Sequence, residues 1–253
     1  MKKIFLTSFV FICLTTILSA QSSPSERESK FTLGILGGLN IPRLSGGSDN
    51  EMSRDYTSRS GEAFGLTVSM DMGSNFDLRA DLLYSSEGGK RNGIQAIDAS
   101  SVNPMAPAGT YLYADFKNES ILNYVEIPVM VKYSIPAGNS LKFFADFGPS
   151  FGFLLNAKQK TSGASIIYAD RAETMIAVPT AQSFDASTDV SSSINHDNFG
   201  LTGGMGFAQR VYSGEFFMDF RGAYGLNAIQ KDKQDGSSHN GNILIDIGYS
   251  LPF

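Results

Sequence analysis

The sequence has no tryptophan, two histidines and a single cysteine. Each scarcity removes a class of chemistry. The cysteine, Cys13, lies inside an N-terminal segment reading MKKIFLTSFVFICLTTILSAQ. Lys2 and Lys3 lead it, residues 4–18 are largely apolar, and Ser19 and Ala20 are small enough to precede a peptidase cut. This is the layout of a secretory signal peptide over residues 1–20, with an apolar core short of the ~20 residues of a membrane-spanning helix. Phe11 and Ile12 are too bulky to precede a lipid-modified cysteine. With the segment removed, the chain holds no disulfide, no thiolate nucleophile and no cysteine metal ligand. Residues 21–253 also lack a long apolar run, which excludes a helical membrane protein but not a barrel, whose strands alternate. Basic charge is short as well: loss of Lys2 and Lys3 takes the formal net charge from −5 to −7, which argues against a nucleic-acid partner. Neither metal-ligand spacing nor a phosphate-cradling loop is visible, so no cofactor is expected.

Glycine (26), phenylalanine (19) and tyrosine (10) are plentiful, which points to β structure with close backbone approach. After a polar stretch, 21–30, expected to stay in the periplasm, eight segments alternate with period two: 31–41, 62–71, 76–87, 120–134, 141–155, 197–211, 215–225 and 241–253. In 76–87, Phe76, Leu78, Ala80, Leu82 and Tyr84 alternate with Asp77, Arg79, Asp81, Leu83 and Ser85. The connections separate two readings. Those at 72–75, 135–140 and 212–214 are short; those at 42–61, 88–119, 156–196 and 226–240 are long, and the two kinds alternate. A Greek-key sandwich has no reason to sort its loops so, whereas an outer-membrane barrel has short periplasmic turns and long outer loops. The fold class expected is therefore all-β: an eight-stranded antiparallel up-and-down transmembrane barrel over 31–253, exported through the periplasm to the cell outer membrane.

The two faces differ in chemistry. One is apolar along every segment; the other carries the charges, the arrangement of a barrel with lipid outside and polar groups inside. Arg79, Asp81, Glu126, Asp146, Asp219, Arg221 and Asp246 form its middle, and Arg79 and Arg221 should each touch more than one carboxylate. Such a set is either an ion path or a salt-bridged filling of a narrow lumen, and the small strand number favours the filling. Pro128 cannot donate to a ladder, so a bulge or kink is expected near 126–128. Tyr249, Leu251 and Phe253 share the lipid face of the last strand and suit the signal that barrel-assembly machinery reads.

Residues 123–133, NYVEIPVMVKY, carry a Y-x-E-I-P-x-x-x-K-Y pattern that resembles a strand of the Bacteroidota outer-membrane β-barrel family that includes PorT-like proteins. Residues 82–90 (LLYSSEGGK), 147–154 (FGPSFGFL), 200–207 (GLTGGMGF) and 221–229 (RGAYGLNAI) are similar to other strands of that family. The resemblance implies an eight-stranded outer-membrane barrel and no single activity; a role accessory to a secretion or gliding complex is open to it. The function expected is non-enzymatic, acting through surface loops in envelope support or partner binding. Outer-membrane lipid and lipopolysaccharide would surround the barrel, and a protein partner could meet the loops. The alternatives are a narrow pore and an outer-leaflet lipid-modifying enzyme, for which Ser191, Ser192, Ser193, His196, Asp197 and His239 are the available parts.

Overall fold

The computed structural model describes residues 30–47, 50–107, 109–232 and 236–253. The expected signal peptide and residues 21–29 of the polar stretch after it lie outside them. The strands are β1 (Phe31–Gly46), β2 (Gly61–Gly73), β3 (Phe76–Asp98), β4 (Tyr111–Pro136), β5 (Leu141–Ser162), β6 (Ala164–Tyr168), β7 (Ile176–Ser183), β8 (Ala186–Asp189), β9 (Asp197–Val211), β10 (Gly214–Gly225) and β11 (Ser238–Pro252), with 3-10 turns at Ala99–Ser101 and Ser191–Ser193. All pairings are antiparallel. β1 to β5 pair in sequence, β5 pairs β9, β9 and β10 continue to β11, and β11 returns to β1. The closing ladder runs from Thr32 opposite Pro252 to Gly46 opposite Ser238. Closure leaves no unpaired edge in the ring, the condition for a sheet surrounded by lipid. Among the described residues no helix is long and apolar enough to cross a membrane.

Short turns join strands at one end. Ser74 and Asn75 link β2 to β3 with φ of 55° and 69°, and Tyr212 opens the β9–β10 turn with φ 55°. Positive φ matches a two-residue turn to the right-handed twist of its strands.

The outward face is apolar and open. Ile35, Phe64, Leu82, Val131, Phe147, Met205, Phe220 and Ile247, one from each ring strand, are all exposed. Aromatic pairs mark two levels of this face. Phe31–Phe253 and Phe76–Tyr133, with ring centroids 6.1 and 4.9 Å apart, lie near the short-turn end. Phe64–Tyr84 and Phe151–Phe199, at 5.0 and 5.2 Å, lie near the other. Along β3 the levels are eight residues apart, ~27 Å of strand, or roughly 20 Å along the axis of a barrel tilted by ~40°.

Two sequence expectations need correction. Residues 88–119 are not mainly loop: β3 and β4 stay paired through Asp98 opposite Tyr111. Likewise β5 runs on to Ser162 and β6–β8 occupy much of 156–196. Above the upper aromatic level the outward side faces water, so Lys90, Asn92, Asp115 and Lys117 stand where apolar residues stood below. The period of two persists, but the outward side is no longer apolar. Of the bulge or kink expected near 126–128, the bulge is absent. Ladder partners are missing there, between Ala80–Val129 and Leu83–Glu126, but the register is kept. The register shift of β4 lies at Asn123/Tyr124, against β5.

Candidate functional site

The ring interior is built in layers. At the short-turn mouth a cavity of about 430 Å³ is lined by Asp77, Lys132, Lys142, Arg210 and Glu215 among others. Lys142 pairs with Glu215 at 2.7 Å. Above it lies the central cluster. Arg79 reaches Asp81 (3.0 Å), Asp146 (3.3 Å) and Asp219 (2.7 Å). Arg221 reaches Asp81 (2.7 Å), Asp219 (3.2 Å) and Asp246 (2.8 Å). β3 supplies Arg79 and Asp81, β5 Asp146, β10 Asp219 and Arg221, and β11 Asp246. Each is inward because its neighbours in sequence face out, and all are buried. Two guanidiniums thus hold four carboxylates from four strands, sharing Asp81 and Asp219. Fully desolvated groups of this kind are stable only when paired and hydrogen-bonded.

Glu126 does not join this cluster. β4 presents Met130 opposite Arg79, whereas Glu126 lies opposite Leu83, two inward positions higher. There it lines two cavities of about 20 and 10 Å³, room for no more than one or two waters. Nearby, the buried Glu87 carboxylate accepts from Ser85 (2.9 Å), Asn40 (3.2 Å) and Asn242. Tyr249, Leu251 and Phe253 alternate along the outward side of β11, with Tyr249 opposite the outward Ile35 and Phe216. Leu251 and Phe253 are exposed on the lipid side, while the Tyr249 hydroxyl donates to the Val211 carbonyl at 3.0 Å, tying β11 to the β9–β10 turn.

Sequence reasoning missed an apolar layer inside the lumen: Leu36, Ala63, Leu83, Phe144, Ala208, Phe217 and Leu244. Leu36 breaks the alternation of its strand, as do Phe144 beside Phe143 and Phe217 beside Phe216, and those exceptions were its signal. The rings interlock with the charges. Arg79 lies over Phe217 at 5.3 Å and Lys132 over Phe144 at 4.6 Å. A Cβ on Gly248 would fall 2.2 Å from the Phe217 ring.

At the far end a second apolar layer closes the interior. Leu44, Leu122, Tyr124 and Ala157 from the ring meet Ile194 and Ile229 from the connections, with Tyr56 and Val190 packed against them. The strand extensions stand above it as a cap. Arg171, in the β6–β7 turn, bonds Glu51 (3.1 Å) and Asp55 (2.6 Å) of the β1–β2 connection. The hydrogen bond from Arg171 holds the Asp55 carboxyl below its usual range. Ala114, Phe116 and Ile167 make a small core with Ile97, Val178 and Phe184, and the Phe116 and Phe184 rings stack at 4.6 Å. Two cavities open here, of about 590 and 320 Å³.

Of the residues considered for lipid chemistry, Ser191 and His239 have side-chain partners, and the bonds at Ser192 and His196 are made by their backbone carbonyls. The Ala157 amide donates to Ser191 Oγ at 2.8 Å, and the Ser192 carbonyl accepts from Lys231 at 2.8 Å. His239 Nδ1 is 3.1 Å from the Gly225 carbonyl, and its ring stacks on Tyr224. His196 is exposed, its carbonyl accepting from the Leu154 amide at 2.7 Å. Among the described residues no group of three or more His, Cys, Asp or Glu side chains could hold a metal ion.

A closed antiparallel ring with an apolar outside and charges within defines an integral membrane β-barrel. The chain belongs to the outer membrane protein beta-barrel domain family, whose model matches residues 19–231, and the outer membrane is its location. Among solved structures it is similar to Neisserial surface protein A (13% identity, 89% of this chain and 98% of that one, TM-score 0.42). OprG from Pseudomonas aeruginosa aligns at 10% identity, over 89% and 98% of the two chains, with a TM-score of 0.40. Ail of Yersinia pestis aligns at 13%, over 89% and 100%, with a TM-score of 0.33. No curated protein matches.

Proposed function

We propose that this protein is a non-enzymatic outer-membrane barrel that works through its strand-built cap, docking a protein partner at the cell surface. The observation that carries this reading is the combination of a packed lumen with an ordered cap. Two apolar layers and an ion-pair layer fill the interior, so the interior is a scaffold. The residues in excess of a membrane crossing are spent on paired strands, an ion-pair staple and a small core of their own. By the rule that periplasmic turns are short, the cap faces outward. The PorT-like pattern at 123–133 adds a finer version: an accessory barrel of a Bacteroidota secretion or gliding complex, with the cap meeting the other subunits.

The test is chemical cross-linking in native outer membranes followed by purification and mass spectrometry, comparing the full chain with a variant whose residues 164–185 are replaced by a short Gly-Ser link. The variant should keep the heat-modifiable gel migration of a folded barrel and lose its cross-linked partners. An unchanged partner profile would overturn the reading.

A further inference from the structure

We propose that the cap holds a binding site for a small amphipathic anion, its carboxylate, sulfate or phosphate group on Arg91 and its apolar body against Ile97, Phe116, Ile167 and Phe184. The site goes beyond partner docking and does not depend on it.

The argument starts from an unbalanced charge. The cavity of about 320 Å³ is lined by three arginines, Arg54, Arg91 and Arg171, and two carboxylates, Glu51 and Asp55. Both carboxylates are shared between Arg54 and Arg171. Arg91 pairs with no carboxylate among the described residues, yet it is only 5% exposed. Its Nη1 donates to the Arg54 carbonyl at 3.2 Å, and its guanidinium lies 5.0 Å from the Tyr56 ring centroid. These contacts orient the group without neutralising it, and Nε has no partner among the described residues. A guanidinium stays protonated near neutral pH. A buried, uncompensated charge is costly, and such charges are normally paired.

Arg91 also lines the larger cavity, of about 590 Å³, which lies within the range of small-molecule sites. Its apolar wall is the small core of the cap. Asn118 lines it as well, is 1% exposed, and has no partner among the described residues for either side-chain atom. Its amide is a second donor for an anionic group. An apolar wall with a few convergent polar groups, one of them a guanidinium that no carboxylate contacts among the described residues, selects an anion with an apolar body.

The mature chain is placed in nanodiscs of uncharged phosphatidylcholine and titrated calorimetrically with hexanoate, octanoate, 1-naphthoate and naphthalene-1-sulfonate, against hexanamide, octanamide and 1-naphthamide. Inorganic phosphate serves as a head-group control. At least one acid should bind about tenfold or more tighter than its amide, and Arg91→Met should remove that preference. Without ligand, Arg91→Met should unfold at the wild-type temperature or above, because it removes an unpaired buried charge. Should that variant fail to fold, Asn118→Leu keeps Arg91 and should weaken the acids while leaving the amides unchanged. Equal binding of acids and amides, no binding of any acid, or an acid preference that survives Arg91→Met (or Asn118→Leu, where Arg91→Met does not fold) would overturn the site. Phosphate binding as tightly as the best acid would overturn its apolar half. Partner cross-linking reads the docking surface separately, so either reading can fail alone.

Discussion

At the residue scale, the lumen turns on two arginines. Arg221 holds Asp81, Asp219 and Asp246, so Arg221→Met leaves desolvated carboxylates behind. The expected loss is about 3–5 kcal/mol in urea unfolding, and adding Asp246→Asn should recover part of it because one stranded charge goes. A loss under about 1 kcal/mol would mean the cluster is better solvated than its burial implies. Gly248 is the apolar counterpart. An added methyl would meet the Phe217 ring at 2.2 Å and the Ile35 carbonyl at 2.6 Å, so Gly248→Ala should cost about 1–3 kcal/mol. Phe217→Ala in the same chain should relieve only the ring's share, a coupling that a double-mutant cycle reads directly. The cluster residues were legible in the sequence because alternation fixes which side chains share the interior. Glu126 was misplaced for a related reason: period two gives the face but not the height, and height follows from register, which a sequence without pairing information does not contain.

At the element scale, sequence reading succeeded where lipid imposes a pattern and faltered where it stops. β3 and β4 are 23 and 26 residues long, well beyond the ~9–11 residues of a membrane crossing. Below the upper aromatic level their outward side chains are apolar; above it most are polar or charged, so a search for an apolar stripe ends near Glu87. The inward side of the extension still alternates, through Arg91, Gln95, Ala114, Phe116 and Asn118, all buried. The cap's own connections depend on ion pairs and should respond to pH. The Asp55 carboxyl is depressed chiefly by its hydrogen bond from Arg171. A depressed carboxyl contributes stability that is present above its unfolded value of ~3.9 and lost as pH falls through the lower folded value. The pair is half exposed, so its contribution is at most about 1 kcal/mol. Amide hydrogen exchange in residues 169–175, corrected for intrinsic rate, should therefore speed up below pH ~4 in the wild type. In Arg171→Gln it should already be faster at pH 6, leaving only the step of Asp170, whose carboxylate accepts from Thr174 and Met175 within the same turn. An identical pH profile in the two proteins would show that the staple does not hold the turn.

At the scale of the whole molecule, the order of layers decides what the barrel can transmit. An ion entering from the short-turn mouth meets Lys132, Lys142 and Arg210 around a cavity of about 430 Å³. It then meets the rings of Phe144 and Phe217, two guanidiniums locked onto four carboxylates, and the apolar layer under the cap. Two cavities between the central cluster and that layer, lined by Glu126, hold one or two waters at most. A permeating ion would have to shed its hydration shell and break pairs tied to several strands at once. Rigid filling is also what a ring this narrow favours, since an interior of about eight strands is just wide enough for side chains to occupy it. The purified protein in planar bilayers should therefore show no steady conductance steps in molar potassium chloride. Small-residue replacement of Phe144, Phe217, Leu83 and Leu244 together should introduce steps if the central ion pairs loosen once their apolar support is gone. Steps in the wild type would reassign the lumen from scaffold to path, and the four inward apolar residues would then be its constriction.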